Sequence, residues 1–187
     1  MTIIGVLLAA GRGSRMGQTK QLLPWGEGTV IEASFDAIAP YCDSMVVVLG
    51  ADKEKIIEAL GSREFVSVVS NPDAEQLESI KFGLAKTTGD VLLHLADHPI
   101  VPPEIIPMII SVFSDKAIIP TSGGKGGHPV FVPKSIVNQV RGWNGDGGLR
   151  QFWEEHPQFV ERLPIENAQE MLFDLDTPED YVRHFKN

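Results

Sequence analysis

Cysteine is almost absent from this chain: Cys42 stands alone among 187 residues. No intrachain disulfide can form, and a lone thiol is expected to pack as a small hydrophobe. Long apolar runs are lacking too, since none approaches the ~20 residues that cross a bilayer. The amino terminus has neither the basic n-region nor the cleavage site of an export signal, so a cytoplasmic protein is expected. Internal repeats and low-complexity tracts are missing, and the 187 residues are expected to form one domain, 1–187, with a substantial core. Positive charge is scarce: 16 Lys and Arg against 25 Asp and Glu give a net charge of −9. A general nucleic-acid binder needs a broad basic face, and this balance excludes one.

Two common phosphate-binding strings are also missing. The dinucleotide fingerprint requires Gly-x-Gly-x-x-Gly and an acid closing the second strand. Here Gly17 comes one position late, and the acid at a suitable distance, Glu32, falls in a helical pattern. The P-loop string Gly-x-x-x-x-Gly-Lys-Ser/Thr does not occur.

What does occur is Leu8-Ala9-Ala10-Gly11-Arg12-Gly13-Ser14-Arg15-Met16-Gly17, then Lys20 and Gln21-Leu22-Leu23-Pro24-Trp25-Gly26, directly after the apolar run Ile3–Leu8. Glycines at a strand end let backbone N–H groups turn inward around an anion. Two arginines and a lysine close behind supply charge for phosphate oxygens, the pattern of a triphosphate cradle. This string resembles the nucleotidyltransferase signature of the family that handles molybdenum cofactor, most closely its cytidylyltransferase branch. The resemblance runs from Leu7 to Asp180 with the motifs in family order.

Apolar segments that do not alternate are separated by helical stretches along the whole chain. Strands are expected at 3–9, Met45–Leu49, Phe65–Val69, Val91–Ala96, Ala117–Pro120 and Pro129–Val132, with a late one near Leu172–Leu175. Helices are expected at 29–39, 52–60, 77–87, 103–113, 134–141, 147–155 and 178–185. The class is α/β, a sheet covered on both faces, with ligands outside the carboxyl ends of its strands. The resemblance implies a Rossmann-like three-layer αβα nucleotidyltransferase fold with a mostly parallel, mixed sheet.

Asp97, in Leu95-Ala96-Asp97-His98-Pro99, follows a buried strand, which gives a carboxylate a rigid base and an exposed tip. Such a group suits Mg²⁺ held against phosphate oxygens, or else caps the next helix. The family's Leu-x-Asp-x-Pro element favours the metal. His98 departs from the Gln common there and reads as a solvated turn residue or as a contact to the second substrate. In Asp174-Leu175-Asp176-Thr177-Pro178-Glu179-Asp180, helix capping accounts for the last four residues. Asp174 and Asp176 precede the cap, and strand periodicity would aim them the same way. The resemblance makes Asp176 the second metal ligand, with Asp174 ranked behind it.

Gly145-Asp146-Gly147-Gly148-Leu149-Arg150 offers free N–H groups at a helix start, a seat for an acceptor phosphate, or an ordinary loop with Asp146 as cap. His128, between Gly127 and Pro129, is either structural or a substrate contact. Asn71 and Ser79 offer hydrogen bonds to a pyrimidine edge. Their segment departs from the family: Ala74 replaces an aromatic residue and a glycine before the helix is missing. Ala10 stands where guanylyl-transferring relatives carry glycine, and its Cβ narrows the pocket floor in favour of cytosine.

The resemblance therefore implies transfer of CMP from CTP to the phosphate of molybdopterin, with Mg²⁺ as cofactor and pyrophosphate released. Arg15 would neutralise the β- and γ-phosphates and Lys20 the α-phosphate, with Arg12 and Ser14 assisting. CTP would rest on residues 8–14, its base near Ala9, Ala10 and Ser79. Recipient molybdoenzymes are the implied partners, and neither nucleic acid nor membrane is expected. A guanylyl- or sugar-phosphate nucleotidyltransferase of the same fold, and a non-catalytic cofactor carrier, remain as alternatives.

Overall fold

The computed structural model describes residues 1–11, 19–71, 75–145, 147–175 and 177–185. Its centre is a mixed sheet whose strands run β10-β7-β9-β6-β1-β4-β5, with β8 paired to β7. The strands are β1 (Ile3–Ala9), β4 (Ser44–Leu49), β5 (Val66–Val69), β6 (Asp90–Leu95), β7 (Ala117–Ser122), β8 (Lys125–Gly126), β9 (Val130–Val132) and β10 (Val160–Pro164). A separate hairpin joins β2 (Pro24–Trp25) to β3 (Gly28–Thr29). The helices are α1 (Val30–Ile38), α2 (Lys53–Leu60), α3 (Gln76–Leu84), α4 (Ile105–Ser111), α5 (Lys134–Gly142), α6 (Gly148–Glu155) and α7 (Pro178–Phe185).

Strand alternation divides the core in two. Ile3, Leu7 and Ala9 of β1 face a cluster built with α1, α2 and α4, whereas Ile4, Val6 and Leu8 face one built with α3, α5 and α6. Both faces of β1 are buried, which is why its sequence is apolar without alternation. Strands β6, β1, β4 and β5 are mutually parallel, so their carboxyl ends share one edge. Strand β9 is antiparallel to β6 and β7 and keeps those two in register: Phe131 pairs with both Leu92 and Ile118.

Four expectations need correction. No strand forms at Leu172–Leu175; the chain there is a 3-10 turn, Gln169–Leu172, followed by extended backbone. The late strand is β10 instead, where Val160 and Leu163 are only half-buried at the sheet edge and leave no apolar run to read. The alternation argument for Asp174 and Asp176 loses its strand accordingly. His98 is not a solvated turn residue, being 7% exposed. The acid Glu32 does lie in a helix, at the third position of α1, where it closes a capping box with Thr29. Cys42 packs against the core as expected, and burial pushes its thiol up to about 12.

The carboxyl-terminal helix is held by aromatic packing. Trp25 of the hairpin stacks on Phe173 and meets Tyr181 and Phe185, and the Tyr181 hydroxyl donates to the Pro24 carbonyl at 2.8 Å. Thr177 and Asp180 cap α7 reciprocally through side chain and backbone, as the capping pattern foretells. This docking draws Phe173–Leu175 back over the sheet edge, where the Leu175 N–H donates to the Asp97 carbonyl at 3.2 Å.

Candidate functional site

The site is assembled where β1, β4, β5 and β6 end. Ala9 closes β1 opposite Leu49, and Leu8 pairs with Leu95 of β6. Ala10 is half-buried and Gly11 exposed. Gly50, just past β4, holds this corner tight: a Cβ there would stand 2.5 Å from the Ala10 carbonyl oxygen. Only glycine tolerates that backbone approach. From the other end of the loop, the Thr19 hydroxyl donates to Asp52 at 2.5 Å, fastening the chain to the start of α2. The hydrogen bond from Thr19 also holds the Asp52 carboxyl below its usual range.

Lys20 and Asp97 meet directly, Nζ to Oδ2 at 2.5 Å, with side chains 15% and 22% exposed. Two motifs 77 positions apart in sequence thus form one charged corner at a cleft edge. Behind it lie three histidines. The His94 Nε2–H donates to the His98 carbonyl at 2.9 Å and so braces the turn that carries Asp97. His98 and His128 rings pack edge-on, centroids 5.4 Å apart, and both stand 6.3 Å from His94.

Burial sets the protonation of this cluster. It drives His94 well below the ordinary range, with the neighbouring His128 and His98 adding to the effect. Burial lowers His128 to about 4, and lowers His98 against the opposing pull of Asp97 and Asp174. All three are therefore neutral near pH 7, so the positive charge opposite Asp97 comes from Lys20. The buried Nδ1 atoms of His94 and His98 have no hydrogen-bond partner among the described residues.

Other expected residues are near but differently engaged. Ser79 is 6% exposed, and its hydroxyl shares a 2.9 Å hydrogen bond with Ser70 just past β5. Asn71 is exposed beside it at the same sheet edge. His128 and Gly147 both line a cavity of about 540 Å³ between α3, α6 and the sheet, which also includes Leu8, Leu95 and Trp153. Arg12, Gly13, Ser14, Arg15, Asp146 and Asp176 lie outside the described residues.

Among the described residues no three His, Cys, Asp or Glu side chains are grouped to hold a metal. A hard cation shared with phosphates needs only one or two carboxylates. Asp97, partly exposed at the cleft edge with Asp174 close enough to act on His98, fits that requirement. The histidines do not: His94 and His98 are buried in the core, and His128, half-buried at the cavity, turns its Nδ1 to the Leu93 carbonyl.

Sequence reading missed Gly50 and the bracing role of His94. A glycine directly after an apolar strand signals the first. A histidine inside an otherwise aliphatic strand, four residues before His98, signals the second.

Comparison with known proteins gives the family. A family model described as a MobA-like NTP transferase domain matches residues 5–160. The chain is 32% identical over 180 residues to the molybdenum cofactor cytidylyltransferase of Escherichia coli, covering 95% of this chain and 92% of that one. It is 25% identical over 196 residues to a molybdenum cofactor guanylyltransferase of Mesorhizobium japonicum, covering 97% and 93%. Among solved structures, Rv0371c of Mycobacterium tuberculosis superposes with a TM-score of 0.89 at 28% identity over 100% of both chains. A manganese complex of that protein gives 0.84 at 26%, again over 100% of both chains. With a family model that spans most of its length and a relative 32% identical over nearly all of it, this chain belongs to the MobA-like NTP transferase family.

Proposed function

We propose that this nucleotidyltransferase moves CMP from CTP to the phosphate of molybdopterin. The observation that carries the reading is the Lys20–Asp97 corner at the carboxyl edge of the sheet, 2.5 Å between charges, adjoining a cavity large enough for a second substrate. An oxygen of the acceptor phosphate forms a bond to the α-phosphorus of CTP. The bond from that phosphorus to the bridging oxygen breaks, and pyrophosphate leaves with the electron pair. The nucleophile is already ionised, so no general base is needed, and catalysis rests on position and charge neutralisation.

Lys20 neutralises the α-phosphoryl group as negative charge builds there, with Arg15, Arg12 and Ser14 on the remaining phosphates. Asp97, joined by Asp176, would hold a divalent cation, Mg²⁺ by the chemistry of carboxylate and phosphate ligands. The manganese complex of the Mycobacterium relative supports a divalent ion. Such a cation neutralises phosphate charge when bound. The ion pair with Lys20 holds Asp97 aimed at the cleft edge until substrate arrives. The base lies at Ala9, Ala10 and the Asn71–Ser79 segment. Identity to the Escherichia coli cytidylyltransferase favours cytosine, as does the Ala10 methyl.

The test is pyrophosphate release with Mg²⁺ and each of CTP, GTP, UTP and ATP, with and without molybdopterin. Release that requires both CTP and the pterin is expected. A GTP preference would overturn the base assignment, and no release with any nucleotide would overturn the transferase reading.

A further inference from the structure

The cavity beside the Asp97 corner carries an unusual charge for this chain. The protein is acidic, with 25 acids against 16 bases, yet the cavity wall presents Lys125, Arg150 and Arg162 against one carboxylate, Glu154. Arg150 is already committed, Nε to Glu154 at 3.0 Å. Lys125 and Arg162 form no ion pair with any described residue.

Register places these two cations. Thr121 of β7 pairs with Pro164 on one side and Gly126 on the other, so β8 lies on the same flank of β7 as β9, the strand next to β6. Because Phe131 pairs with both Ile118 and Leu92, Thr121 and Gly126 are level with Leu95, two residues before Asp97. Arg162 pairs with Ile119 and reaches over β7, its Nη1 3.8 Å from where a Gly126 Cβ would be. The guanidinium thus lies over a bare glycine backbone, about one strand spacing (~4.8 Å) from the strand that carries Asp97. The floor between is apolar: Leu8, Leu93, Leu95 and Ile119, with Trp153 as wall.

We propose that Arg162 and Lys125 form the subsite for the acceptor's phosphate monoester, seating it against the nucleotide's α-phosphorus while the floor receives the acceptor's ring. This rests on the transferase reading. Arg162 presents a fork that suits two phosphate oxygens, and Lys125 a point charge on a hairpin tip. The assignment moves the acceptor phosphate from the α6 amino terminus, expected from Gly145–Arg150, to the opposite wall.

The experiment measures equilibrium binding of molybdopterin and of its dephosphorylated form, without nucleotide, to the wild type, Arg162→Gln, Lys125→Gln and Arg162→Lys. Wild type is expected to bind the phosphorylated form at least about tenfold more tightly. Arg162→Gln should lose most of that preference, and Arg162→Lys should recover part. CTP affinity should stay within about twofold in every variant. A phosphate preference that survives in Arg162→Gln and Lys125→Gln overturns the proposal, as does a wild type indifferent to the phosphate. A tenfold loss of CTP affinity would overturn it by assigning the cations to the nucleotide. Phosphate-dependent binding in a protein that releases no pyrophosphate leaves this subsite standing while the transferase reading falls; turnover with an unaltered phosphate preference does the reverse.

Discussion

The two halves of the sheet are built on different principles. In the parallel half, β6-β1-β4-β5, the inner strands are buried on both faces and all four end together, so short loops deliver Gly11, Gly50, Asn71 and Asp97 to one edge. In the mixed half, β9-β7-β10, β9 runs against β7 while β10 runs parallel to it, and a hairpin and an edge strand bring Lys125 and Arg162 alongside with exposed side chains. The parallel half places the groups assigned to the nucleotide by backbone alone, in the manner of open α/β sheets. The mixed half carries its cations on exposed side chains. One chemistry is expected from the first half, and discrimination between acceptors from the second.

Substitutions break or sharpen this division. Lys20→Ala should be the most damaging, lowering kcat by ~10²–10³ with a much smaller rise in the KM for CTP, read by steady-state kinetics. An unchanged kcat would remove Lys20 from the transition state. Arg162→Gln should instead raise the acceptor KM about tenfold with the KM for CTP held, the signature of a defect confined to the mixed half. Gly50→Ala forces a Cβ toward the Ala10 carbonyl, so the loop must shift. It should cost about 1–3 kcal/mol of stability and raise the KM for CTP several-fold, by denaturant unfolding and kinetics.

Acid should strike the junction of the halves. His94 and His128 bind protons less readily folded than unfolded, where the ordinary value is 6.5. Below about that pH the unfolded chain takes up protons that the folded one refuses, so stability is full near pH 7 and falls with pH. For His128, lowered to about 4, the loss by pH 4 is of the order of 1–3 kcal/mol. Thermal midpoints measured from pH 7.5 to 5 should fall less steeply in His94→Leu than in wild type. The smallest effect is expected from Ala10→Gly, a several-fold gain of GTP use relative to CTP, because one methyl alters only pocket width.

The sequence exposed the parallel half well and the other half poorly. An apolar strand followed by glycines and cations, and an aspartate at a strand end, are local signals, and both motifs meet in the Lys20–Asp97 pair. Strand β10 gave no such signal because its side chains are half-exposed at an edge. Leu172–Leu175 looked like a strand because Leu172, Phe173 and Leu175 are apolar, yet packing of Phe173 on Trp25 and of Leu175 beside them is what holds the segment. His98 looked solvent-facing because a histidine beside proline marks a turn, while its actual burial depends on His94 and His128 from other positions.

By itself, then, the sequence determined the alternation of β1, α1, β4, α2, β5 and α3 and the aspartate after β6, because each is a pattern local to a few residues. Only the tertiary structure decided that Gly50 presses on Ala10, that three neutral histidines lie behind Asp97, and that Arg162 crosses β7 to reach Gly126. Those relations reach across 30 to 40 positions, and such distances in sequence carry no local periodicity from which to read them.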